Sequence, residues 1–303
     1  NPNAGNAAMN SIQMINQLIE IGPDTVEMRI ELEKTILVML KIVGNQPEAL
    51  GYYSTLGENY IKLSDMVLEQ KVAYIDKAIA AYGKVPETDA LYTYAHYNML
   101  DLEYEKLQAT EEKDLDATRD LMGRMLRYGS FCYEWAKRGG GNSEKNEPTK
   151  EELGEWGAQV EFHAWILRYD FLDGKDRAME MIGGLGKRWP GTTILRQSET
   201  YFIRKLLAQG DVTAAFTRVD NFAKKYGDDA AEGLMTQVSS ALREQIAELT
   251  FDPNKEEILA AYRKAYLDLG EKIYKALKPD TTEAKKASIM ALYADSLVTS
   301  EDP

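Results

Sequence analysis

A single cysteine, Cys132, stands in 303 residues. No disulfide can form within the chain, so packing alone must hold the fold. The usage fits a reducing compartment and leaves export open. Histidine is nearly as scarce, at His96 and His163 only. A catalytic zinc site usually takes three protein ligands, and no His-Glu-x-x-His spacing is present. Neither metal nor cofactor is expected, and both histidines read as packing or surface residues. Long apolar runs are missing too: the longest, Ile36–Leu40, ends at Lys41. A spanning helix needs about 20 apolar residues, so membrane insertion is not expected. No block of one charge occurs. The 36 basic and 49 acidic residues give a net charge of −13. Residues 1–150 carry 16 basic and 23 acidic side chains, and 151–303 carry 20 and 26. Nucleic acid and anionic membrane surfaces both require a cationic face, so those partners are disfavoured. No leader is visible and a soluble protein is expected, with the cytoplasm favoured. The first residue is Asn1 rather than Met, so processed export stays open.

What the chain does have is helix pattern almost throughout. Hydrophobic residues make up 44 % and aromatics 10 %, enough for a packed core. Helices are predicted at 6–21, 25–43, 47–66, 69–84, 88–109 and 111–138. Seven more follow at 150–171, 175–188, 193–209, 211–226, 230–249, 254–278 and 282–298. Asp24 is the expected N-cap of the second, with Glu27 three residues on, and Gly44 its stop. Pro47 suits a first-turn position. Leu121, Met125, Tyr128 and Cys132 keep a helical period. Val212, Ala215, Phe216, Val219, Phe222, Ala223 and Tyr226 form one apolar stripe. Residues 139–150 contain no apolar side chain and are rich in Gly and charge. They read as a mobile loop or a hinge, after which Thr149 and Glu152 form a capping pattern. No convincing strand is found, so the fold class expected is all-α.

Two stretches share one layout, 159–190 and 196–229. Each reads as helix, tight polar turn and helix. Tyr169, Ala178 and Pro190 are nine and twelve residues apart, and Ala215 lies 37 residues after Ala178. A weaker copy runs through Leu56-Gly57, Tyr60, Ala73, Ala80 and Pro86. At these residues the chain resembles the tetratricopeptide repeat family. Small side chains there let two helices approach to about 8–9 Å. The resemblance implies an α-α superhelix of antiparallel helix hairpins, an α-solenoid. The expected organisation is degenerate repeats over 1–138, the loop or hinge at 139–150, and clearer repeats over 151–303. Together these form one continuous solenoid. The closing Ser300-Glu301-Asp302-Pro303 hints at a longer array.

Motifs that carry chemistry are weak. Glu161 and His163 are two apart and point to different helix faces. Cys132, between Phe131 and Tyr133, reads as an inert buried thiol. Gly183-Gly184-Leu185-Gly186-Lys187 has the composition of a phosphate loop, but lacks its spacing and its strand. Gly183 and Gly184 are expected to permit close helix packing. Asp173–Asp176 and Asp252–Glu257 lack the calcium-loop pattern and read as turns and caps. Tyr92, Tyr94, Tyr97 and Tyr104 spread over more than one helix face, some core and some available for recognition.

Arrays of this family bind partner segments along a concave face lined by the first helix of each repeat. Carried over residue by residue, the resemblance implies Glu58, Lys62, His163, Leu167, Asp170, Gln197, Thr200 and Arg204 as a mixed polar lining. The expected function is a non-enzymatic scaffold or adaptor for protein or peptide partners, including as a subunit of a larger assembly. The alternative is an all-α enzyme or small-ligand receptor with its site inside the superhelix, near Trp156, His163 and Trp165 or the tyrosine cluster.

Overall fold

A computed structural model describes residues 2–44, 46, 49–87, 89–110, 112–141, 147–279 and 281–300. Among these are thirteen α-helices and no strand. They are α1 Pro2–Ile21, α2 Val26–Val43, α3 Ala49–Met66, α4 Lys71–Tyr82, α5 Tyr92–Ala109, α6 Leu115–Lys137 and α7 Lys150–Phe171. Then come α8 Lys175–Arg188, α9 Ile194–Ala208, α10 Val212–Tyr226, α11 Asp228–Leu249, α12 Glu256–Lys275 and α13 Glu283–Ser300. Each of the thirteen predicted helices has its counterpart, with ends shifted by a few residues. Pro47, Thr88 and Glu111, at which three predicted helices began, lie outside the described residues, as does the 301–303 tail.

Caps explain most boundaries. The Thr149 hydroxyl accepts from Glu152 N, and the Glu152 carboxylate accepts from Thr149 N, closing the capping box of α7. Asp114 and Asp211 cap α6 and α10 through their carboxylates. For α2 the expected cap is corrected. Thr25, not Asp24, accepts from Met28 N, and Asp24 forms a two-point ion pair with Arg29 at 2.6 and 2.7 Å. The arginine draws the carboxylate out of capping geometry.

The chain divides into two compact units, Asn1–Thr192 and Thr193–Pro303. The division does not fall at 139–150. The helices that flank this segment, α6 and α7, pack closely on each other in the first unit. At its base Gly140 bridges to Thr149, and Gly141 N donates to Pro148 O at 2.8 Å. The loop-or-hinge reading of its middle, 142–146, lies outside the described residues.

In the first unit each helix from α1 to α8 packs on its neighbours in the chain, and α5 also touches α7. In the second, α9 packs on α10 and α11, α12 on α11 and α13, and α10 also meets α12. Leu32, Ile36, Leu63, Ala78 and Tyr82 centre one core. Ile203, Leu207, Val219, Leu234, Leu242 and Leu269 centre that of the second unit. Burying side chains of this size contributes about 1.5–3 kcal/mol each. The repeat-marking small residues are partly corrected. Ala178 and Ala215 are fully buried, and Gly57 sits against Tyr82. Ala73 and Ala80 are exposed instead, and Ala78 and Ala81 are the buried alanines of α4. Gly183 and Gly184 are corrected too, since a β-carbon on either meets no atom within 4 Å.

Candidate functional site

In the first unit α5 packs on α4, α6 and α7. Glu58 of α3 acts electrostatically on the Tyr94 hydroxyl of α5. Trp156 of α7 lies 5.9 Å from the Tyr94 ring and stacks on Tyr97 at 5.8 Å. Two turns on, His163 stacks on Tyr104 at 4.0 Å and 6°. Its Nε2 lies 2.7 Å from the Gln159 amide nitrogen. Its Nδ1 faces Asp101 Oδ1 at 3.0 Å, out of line for a hydrogen bond, so that contact is electrostatic.

This face is acidic. Burial and the neighbouring Asp101 raise the Glu105 carboxyl above its usual value. Burial first, then the carboxylates of Asp101, Glu155 and Glu105, push Tyr97 up to about 12. Burial and then Glu58 push Tyr94 up to about 12. Burial raises Tyr104 as well, with Asp170 the nearest charge contributing. The aromatic rings are half-buried.

Of the expected lining residues, His163 stacks on Tyr104, Asp170 acts electrostatically on Tyr104, and Glu58 acts on Tyr94. Lys62 is exposed on α3 and acts electrostatically on Asp24. Leu167 is corrected: it is fully buried in the core of the first unit, on the far side of α7 from solvent. A helix that buries eleven residues, as α7 does, leaves few positions for a partner. Gln197, Thr200 and Arg204 belong to the second unit. There the Thr200 hydroxyl donates to Gln237 Oε1 at 2.5 Å, and Arg204 lies 3.6 Å from Glu244, both on α11. A shallow cleft of about 310 Å³ lies beside them, lined by Tyr201, Arg204, Lys205 and Gln245 among others.

The two histidines do not share a site. His96 lies against Tyr92 at 3.8 Å with its ring tilted by 34°, beside Phe131 and Arg124 of α6, and burial lowers its pKa. Among the described residues no cluster of His, Cys, Asp and Glu could hold a metal ion, and no helix is long and apolar enough to cross a membrane. Cys132 is completely buried, and burial pushes its thiol up to about 12.

Sequence reasoning missed one constellation. Glu161 is buried on α7, and its carboxylate accepts from Arg188 Nε at 2.8 and 3.0 Å and from Trp189 Nε1 at 2.9 Å. The Arg188 guanidinium lies 4.3 Å from the Tyr133 ring. These residues come from three helices and the turn after α8, and only the buried charge of Glu161 in an apolar stretch could have signalled them.

No protein-family model, curated protein or solved structure matches this chain.

Proposed function

We propose that the chain is a non-enzymatic scaffold or adaptor whose helices form a tetratricopeptide-like α-solenoid. Its first unit would receive a partner segment across the α3–α5–α7 face. Neighbour-to-neighbour packing of successive helices supports the solenoid reading. So do the second-neighbour contacts of α5 with α7 and α9 with α11, the pattern of stacked hairpins.

The observation that carries the binding reading is the stacked Tyr97–Trp156 pair set among Asp101, Glu105 and Glu155. Flat, half-buried rings offer large contact area at low entropic cost, and the carboxylates favour cations above them. A segment carrying Lys or Arg is the partner this chemistry fits.

The test immobilises the full chain and captures partners from cells of its source, beside an Asp101→Lys/Glu105→Lys variant. The expected outcome is a small set of stoichiometric proteins on the unaltered chain and their loss on the variant. Equal capture by both, or none by either, overturns the reading.

A further inference from the structure

A cleft of about 430 Å³ opens where the end of α6, the start of α7 and the turn after α8 converge. Its volume is that of ordinary small-molecule sites. Tyr133 and Ala136 line it from α6, Gly154 from α7, and Trp189, Pro190 and Gly191 from the turn. Gly191 holds a positive φ of 84°, which lets the turn double back beside the cleft.

The charges here run against those of the whole chain. Lys137, Lys150, Lys187 and Arg188 all line this one cleft of a protein with a net charge of −13. Among the described residues, none of the three lysines pairs with a carboxylate. Arg188 differs in kind from a mobile surface cation. Glu161, buried beneath it, takes its Nε–H, and the Tyr133 ring covers one face of the guanidinium. The terminal amino groups of Arg188 have no partner among the described residues. A guanidinium fixed through Nε presents those groups as a planar fork, which matches a carboxylate or a phosphate. Trp189 cannot compete as a donor, because Glu161 already accepts its indole N–H.

Glu151 and Glu155 make part of the wall negative. That excludes a long polyanion and leaves room for one anionic head. The apolar wall of Tyr133, Ala136, Pro190 and Trp189 calls for a flat body behind that head. We infer that this cleft is a binding site for a small organic anion, a carboxylate or phosphate on a flat apolar body, with Arg188 gripping the anionic head. The cleft adjoins the α3–α5–α7 face and shares Glu155 with it, but the inference does not depend on the scaffold reading.

The test titrates ¹⁵N-labelled full chain with phenyl phosphate, benzoate, inorganic phosphate and phenol, following the Trp189 indole and the Gly154 and Gly191 amides. Saturable shifts at these signals with phenyl phosphate or benzoate are expected, and the tighter of the two identifies the head group. Inorganic phosphate and phenol should bind at least about tenfold more weakly. A Lys137→Ser/Lys187→Ser variant, altered only at exposed positions, should keep its fold and lose about tenfold in affinity. The inference is overturned if neither aromatic anion saturates. Equal binding of inorganic phosphate, or unchanged affinity in the variant, overturns it as well.

Discussion

Gly57 stands where a β-carbon would lie 2.6 Å from the ring of Tyr82, the fully buried tyrosine at the end of α4. Three ring carbons fall within 2.8 Å of that point, so an alanine cannot fit unless α3 and α4 separate. Overpacking a core costs about 1–3 kcal/mol, and replacing a helical glycine returns up to about 1 kcal/mol. Gly57→Ala should therefore lower stability in urea by about 2 kcal/mol. Gly51, Gly183 and Gly184 are also helical but meet nothing within 4 Å. Their alanine variants should be stabilised, each by up to about 1 kcal/mol. Equal effects at all four positions would refute close packing at Gly57.

The start of α2 separates two roles that look alike in sequence. Thr25 holds the cap, so Thr25→Ala should cost about 1 kcal/mol at any pH where the fold persists. Asp24 is instead paired with Arg29, whose hydrogen bond holds its carboxyl below the usual 3.8. A lowered folded pKa means the contribution is complete above the unfolded value and is lost as pH falls through the folded one. Asp24 lies at the surface beside a mostly buried Arg29, so Asp24→Asn should cost about 1 kcal/mol at pH 7. That difference should shrink as pH falls below the usual carboxylate range. Urea titrations of both variants at pH 7 and pH 3 distinguish the roles.

Those two sites also mark how far the sequence could be read. Periodicity and caps placed all thirteen helices because both signals are local, as in the Thr149–Glu152 box and the stripe through Val219 and Phe222. Which small residue sits at a crossing depends on the rotation of one helix against another, which local spacing does not encode. Ala73 and Ala80 therefore turned outward while Ala78 and Ala81 turned in. Leu167 failed as a surface residue for the same reason. Glu161 and Arg188 are 27 residues apart, and their meeting follows from the α7–α8 hairpin rather than from any motif.

Cys132 offers a direct reading of local opening. Its thiol is completely buried and raised to about 12 by that burial, with Glu161 adding and the Tyr128 hydrogen bond opposing. At pH 8 the native thiolate fraction should be about a thousandfold or more below that of an exposed cysteine. Ellman's reagent should thus leave the native chain unmodified and label it promptly in denaturant. Rapid labelling of the native chain would show that α6 and α7 open far more easily than their packing indicates.

Gly129 and Glu161 should be coupled in stability. A β-carbon on Gly129 would lie 2.3 Å from Glu161 Cγ, so the glycine on α6 makes the space in which the carboxylate reaches Arg188 and Trp189. Glu161→Ala leaves the Trp189 N–H unpaired in the core, and half-exposed Arg188 loses its counter-ion to solvent. The cost should be about 2–4 kcal/mol. Gly129→Ala alone should cost about 1–3 kcal/mol by driving the carboxylate off its partners. Once Glu161 has been shortened to alanine, the three atoms nearest that β-carbon are gone, and Gly129→Ala should cost at least about 1 kcal/mol less than in the unaltered chain. A double-mutant cycle in urea should therefore return a coupling of at least about 1 kcal/mol, whereas simple additivity would mean the two residues act independently.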